Sequence, residues 1–171
     1  MDVPIIYIMK NKKQSIVSAL ILVFLMAVIV ACSKQPSNKE IEPELIANFL
    51  EEWDIDAEPT ESGLYYIELI KGTGQQPVIG DTVEIYYIGR YLDGRVFDTN
   101  INSDPLRFFI GAMTVIEGFE EGVTYMKKGG EAMLIIPSSL AYGPVGSYYM
   151  GIPGYTPLGF NIILDKVIPG L

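Results

Sequence analysis

Residues 96–123 read VFDTNINSDPLRFFIGAMTVIEGFEEGV, and the patterning of this stretch decides the fold. Leu106, Phe108 and Ile110 share one strand face by period two. Phe119, Val123 and Met126 share one helix face at i, i+4 and i+7, in a short helix beginning near Glu117. A strand and a helix so close together bring aromatics around a lone carboxylate, Asp98 of the Phe97-Asp98 pair. An ordinary α+β core accounts for any one of these aromatics taken singly, so their meaning depends on the rest of the chain.

Outward from this stretch the chain reads as strands. Gly63–Ile70 alternates, with Tyr65, Ile67 and Leu69 on one face. Thr82–Tyr91 carries Val83, Ile85 and Tyr87 together, and Asp93-Gly94 turns that strand back into Val96-Phe97. Gly130–Ile136 and Leu158–Val167 read as two more strands. Between them Pro137–Pro157 is rich in Gly, Pro and Tyr. An irregular segment of that length inside a compact domain points to a functional flap, and its tyrosines argue against disorder.

The beginning of the chain has a different character. Lys10, Lys12 and Lys13 precede an uncharged run of 17 residues, Ser15–Ala31, that ends at Cys32. This is the layout of a signal peptide, and Ile29-Val30-Ala31-Cys32 resembles the lipobox of bacterial lipoproteins. In that family Cys32 would be the lipid attachment site after cleavage. A permanent transmembrane anchor is the competing reading, at the lower limit of length for a span. Met9 opens a more typical signal (MKNKKQ), which makes it a candidate start. The expected organisation is a signal peptide over 1–31, a lipid-anchored linker over 32–61 and one domain over 62–171. Within the linker, Glu44–Asp54 forms a candidate helix with an apolar stripe of Leu45, Ile46, Phe49, Leu50 and Trp53, expected to dock on the domain. Asp54, Asp56 and Glu58 begin like a calcium loop. Pro59 and Tyr65 stand where that loop needs Gly and Glu, so the segment reads as solvated acidic linker.

Composition excludes several chemistries. The chain has no His and one Cys, which removes Ser-His-Asp and Cys-His catalysis and any His-ligated metal. No metal or other cofactor is expected. The full chain carries 12 basic and 21 acidic residues. Residues 1–31 hold three lysines and Asp2, so residues 32–171 carry 9 basic and 20 acidic side chains, a net charge of −11. Nucleic acid is an unsuitable partner for such a surface.

Taken together the pieces resemble the FKBP-type peptidyl-prolyl isomerase family, over Gly63 to about Val167. The matching segments stand in family order: Val83–Gly89 (VEIYYIG), Tyr91–Thr99 (YLDGRVFDT), Phe109–Gly111, Val115–Gly122 (VIEGFEEG), Leu134–Pro137, Leu140–Gly143 (LAYG), Ile152-Pro153 and Leu158–Leu164. The resemblance implies an α+β fold, an FKBP-like half-wrapped antiparallel β-sheet around one short α-helix, with a shallow apolar pocket between them. It implies Asp98, Tyr87, Tyr142 and the Ile116 backbone as catalytic groups. Phe97, Leu106, Phe108, Val115, Phe119, Ile152 and Phe160 would bind substrate. This sequence departs from the family at Phe119, where Trp is usual, and at Leu106, often Phe. Its flap is about one residue longer across Ser147–Gly151, and Gly151 replaces a usual Ile.

The implied activity is isomerisation of X-Pro bonds in envelope proteins. The implied partners are proline-containing polypeptide clients, the family's macrolide ligands and a membrane reached through the lipid anchor. The location would be a bacterial envelope, on the periplasmic or outer-membrane side. The alternative is a non-catalytic FKBP-like binding or scaffold module, since similar lipoproteins accompany gliding-motility machinery. Lipidation requires the thiol, so Cys32→Ala is expected to accumulate as an unlipidated precursor. Metabolic labelling with a fatty-acid analogue checks this, and label retained by the Ala variant overturns the lipoprotein reading.

Overall fold

The computed structural model describes residues 37–170; the expected signal peptide over 1–31 and the expected lipid attachment at Cys32 lie outside the described residues. The elements run α1 (Asn38–Glu52), β1 (Tyr65–Ile70), β2 (Thr82–Tyr91), β3 (Val96–Thr99), β4 (Leu106–Phe109), α2 (Glu117–Tyr125), β5 (Glu131–Ile136) and β6 (Leu158–Ile168). The six strands form one antiparallel sheet in the order β1-β5-β6-β2-β3, with β4 also paired to β2. The inner face supplies Val83 and Ile85 from β2, Phe108 from β4, Leu134 and Ile136 from β5, and Leu158, Phe160, Ile162 and Leu164 from β6. All of them are buried. Helix α2 covers this face with Phe119 and Val123, and Met126 is buried just beyond its end.

Helix α2 sits close because Gly118 and Gly122 face β5. A Cβ on Gly118 would lie 2.5 Å from Ile136 Cγ2, and one on Gly122 would lie 2.5 Å from Leu134 Cδ1. Glycine costs a helix about 1 kcal/mol relative to alanine. Each large apolar side chain buried beneath the helix contributes about 1.5–3 kcal/mol, so close approach prevails over propensity.

Two readings of the edges change. In β1 Tyr65 and Ile67 share the outer face, but the register shift between Glu68 and Ile70 makes Leu69 a bulge residue that leaves their alternation. Pairing of Tyr66 with Leu134 turns Leu64 and Tyr66 to the core and leaves Leu69 48% exposed. Both faces of this edge strand carry large apolar residues, with Glu68 on the Tyr66 side, so alternation alone does not choose between them. The helix of the linker starts at Asn38 rather than Glu44. The Glu40 carboxylate accepts the Ser37 N–H at 2.9 Å, half of a capping box that extends the helix into the polar spacer. Of its apolar stripe Ile46 is buried, whereas Trp53 remains 62% exposed.

Strands β3 and β4 share one edge of β2, pairing with residues 88–90 and 82–85 respectively. Asn100 fills the gap between them. Its Oδ1 accepts the Tyr87 N–H at 2.7 Å, and its Nδ2 donates to Ile85 O at 2.9 Å. The side-chain amide thus stands in for a missing strand peptide. Asn100→Ala leaves the buried Ile85 carbonyl and the Tyr87 amide without these partners. It is expected to lower stability by about 1–3 kcal/mol, read as a reduced urea midpoint at unchanged slope. An unchanged midpoint would contradict this role.

Candidate functional site

β2, β3, β4, β6, α2 and the segment after β5 converge on a cavity of about 230 Å3. Tyr87 enters it from the inner face of β2, Phe97 and Asp98 from β3, and Leu106 from the start of β4. Val115 and Ile116 line it on the approach to α2, Phe119 from the first turn of α2, Phe160 from β6, and Tyr142 from the segment between β5 and β6. The rings meet edge to face, the arrangement that the ring quadrupole favours. Phe119 and Phe160 lie 5.2 Å apart at 75°, Phe97 and Phe160 5.6 Å at 88°, and Tyr87 and Phe119 5.7 Å at 77°. Gly89 permits this cluster, since a Cβ there would lie 2.8 Å from the Phe97 ring and 2.9 Å from the Phe160 ring.

The polar groups are few and placed around the rim. The Tyr87 hydroxyl donates to Asp98 Oδ2 at 2.5 Å. Burial, followed by the hydrogen bond and charge of Asp98, raises the Tyr87 phenol well above its ordinary value. Burial and then the Asp98 charge also raise Tyr142. The Tyr142 hydroxyl donates to Met150 Sδ at 3.0 Å. Ile116 is the N-cap of α2, and its carbonyl accepts the Phe119 and Glu120 amides. No partner for the Ile116 N–H is found among the described residues.

Two residues expected in the wall stand behind it. Phe108 is buried under Phe119, with ring centroids 6.2 Å apart. Ile152 is also buried, and its backbone pairs with Ser147 to pin the flap. Thr114 and Met150 line the cavity instead. Thr114 directly precedes the expected Val115. Met150 carried no sequence signal, because an irregular loop has no periodicity to say which side chain turns inward. The flap is ordered by its own backbone: Ser147 and Ile152 exchange two hydrogen bonds, and the Tyr155 N–H bonds Gly143 O. Of its four tyrosines, Tyr148 and Tyr149 are almost fully exposed.

Two larger clefts, of about 380 and 550 Å3, run along α1. Volume does not select among the three. The smaller cavity holds the edge-to-face cluster of Phe97, Phe119 and Phe160 beside the hydrogen-bonded Asp98–Tyr87 pair. Among the described residues no group of His, Cys, Asp and Glu is arranged to hold a metal.

Comparison with known proteins agrees with this architecture. A family model described as FKBP-type peptidyl-prolyl cis-trans isomerase matches residues 73–165. The crystal structure of a peptidyl-prolyl cis-trans isomerase from Pseudomonas syringae pv. tomato superimposes with a TM-score of 0.67 at 30% identity, covering 80% of this chain and 98% of that one. The isomerase FkpA of Buchnera aphidicola is 36% identical over 140 residues, which cover 81% of this chain and 53% of the relative. FK506-binding protein 4 of Dictyostelium discoideum is 43% identical over 104 residues, 61% of this chain and 27% of the relative. The chain therefore spans between about a quarter and about half the length of these two curated relatives. The family match spans more than half of the chain and contains all of the cavity-lining residues, and the chain belongs to the FKBP-type peptidyl-prolyl cis-trans isomerase family.

Proposed function

We propose that this protein is a prolyl isomerase that binds X-Pro segments of polypeptide clients in the aromatic cavity. The observation that carries the reading is the edge-to-face cluster of Phe97, Phe119 and Phe160, rimmed by the Asp98–Tyr87 pair and the Ile116 amide. The barrier to amide rotation is about 18–20 kcal/mol and reflects lost resonance. Resonance makes the planar amide strongly dipolar, and the twisted transition state is less so. An apolar cavity therefore disfavours the planar form relative to the twisted one, which is differential binding with no bond broken. Lowering the barrier by about 5 kcal/mol accelerates rotation by several thousand-fold.

Each rim group has a defined task in this scheme. The three phenylalanines clasp the proline ring. The Ile116 N–H and the Tyr142 hydroxyl hold substrate carbonyls, fixing the chain while one bond turns; the hydroxyl exchanges Met150 Sδ for that carbonyl. Asp98 accepts from Tyr87 and directs its field at the rotating carbonyl. A macrolide ligand of the family would occupy the same cavity, with Phe119 giving it a smaller floor than Trp. The same proposal places the protein on a bacterial envelope membrane through lipidated Cys32, facing the periplasm or the outer-membrane side. Only five residues separate Cys32 from α1, so the domain works from a short tether.

No proton moves in this mechanism. Tyr87 and Tyr142 have phenols raised above the usual value near 10, so both keep their protons through the neutral range. Loss of the donors begins only at strongly alkaline pH. kcat/KM for a Leu-Pro or Phe-Pro peptide is expected to be flat from about pH 6 to 8.5. Asp98→Asn, which keeps an acceptor but removes the charge, is expected to lower the rate by about tenfold or less without adding pH dependence. A bell-shaped profile with an arm near neutrality would point to proton transfer and defeat the mechanism. Absence of activity in a folded protein would favour the non-catalytic binding module.

A further inference from the structure

Helix α1 precedes the segment shared with the family model, yet it makes specific bonds to the flap. The Glu42 carboxylate accepts two hydrogen bonds from one residue, Ser138 N–H at 2.5 Å and Ser138 Oγ at 2.7 Å. Ser138 is buried and begins the incoming limb of the flap. Its own carbonyl accepts the N–H groups of Ala141 at 3.0 Å and Gly143 at 2.8 Å, the two residues on either side of Tyr142. One helical turn before Glu42, on the same helix face, Asn38 Nδ2 donates to Gly154 O at 3.1 Å on the outgoing limb. The limbs are themselves joined by the Tyr155 N–H to Gly143 O bond at 2.9 Å.

We propose that α1 is a clamp on the flap, with Glu42 and Asn38 as positioning residues that fix its two limbs and thereby set where Tyr142 presents its hydroxyl. Neither side chain touches the cavity; both act through the backbone that carries Tyr142. The catalytic consequence rests on the prolyl-isomerase reading above, whereas the ordering of the flap does not. A carboxylate accepting two bonds from a buried residue is the strongest link between helix and flap, because charged hydrogen bonds exceed neutral ones. Glu42→Ala removes both acceptors. Glu42→Gln keeps one acceptor for the Ser138 N–H, and its amide can donate to Ser138 Oγ.

The test uses the full chain in detergent, as wild type, Glu42→Ala, Glu42→Gln, and Glu44→Ala as an exposed control on the same helix. Isomerisation of a Leu-Pro peptide is measured together with hydrogen exchange of individual amides. Tyr142 holds the ground state and the transition state alike, so Glu42→Ala is expected to raise KM about three- to tenfold with kcat within about twofold. The Gly143 and Tyr155 amides are expected to exchange about tenfold faster while those of β2 and β6 do not change. Glu42→Gln falls between, and Glu44→Ala matches wild type. Wild-type KM and wild-type flap exchange in Glu42→Ala overturn the proposal. So does a fall in kcat at unchanged KM with faster exchange throughout the sheet, which marks a role in global stability. An inactive wild type would refute the isomerase reading, and the exchange measurement would still decide whether α1 orders the flap.

Discussion

The close seating of α2 on β5 is the constraint on which the rest of this structure depends. Gly118 and Gly122 face Ile136 and Leu134 with no room for a side chain between them. That separation sets the height of Phe119 above the sheet and the place of Ile116 at the cavity rim. Gly89 imposes a second constraint of the same kind, by leaving space on β2 for Phe97 and Phe160 to meet. At these three positions the backbone gives up side-chain volume so that aromatic rings can converge. Interiors are packed to the density of organic crystals, so one methyl group here moves the rings that form the site.

The electrostatic character of the cavity follows from the same packing. A carboxylate at the rim of an apolar site needs a partner, and Asp98 has one in the Tyr87 hydroxyl. Asn100 holds the backbone of Tyr87 in turn. A chain of hydrogen bonds thus runs from the broken edge of β2 to the site, and the structural and chemical roles of Asp98 coincide. The cavity thus sets aromatic walls beside the Asp98 carboxylate and the Tyr87 and Tyr142 hydroxyls.

The flap and α1 bring a different principle. Pro137–Pro157 buries few large side chains and contains little regular structure, so its order comes from hydrogen bonds: its own backbone pairs, the Tyr91 hydroxyl at Gly151 O, and Glu42 and Asn38 from α1. Loops held this way open more readily than a packed sheet. A recognition surface made in part by such a loop responds to whatever anchors it, and here the anchor is α1.

Much of this was legible in the sequence because it is periodic or compositional. Period-two spacing marked β1, β2 and β4, Gly130–Ile136 and Leu158–Val167 read as strands, and the i, i+4, i+7 spacing of Phe119, Val123 and Met126 marked the face of α2. The absence of His and the single Cys limited the chemistry before any fold was known. Tertiary structure decided what period cannot encode. Pairing with β5 chose the inner face of β1, because large apolar residues stand on both of its faces. Depth put Phe108 and Ile152 behind the wall, because a pattern says which face a residue is on but not how many layers lie above it. Met150 reached the cavity and Glu42 reached Ser138, 96 residues away, through contacts between segments with no common repeat. Such contacts exist only once the chain has closed on itself.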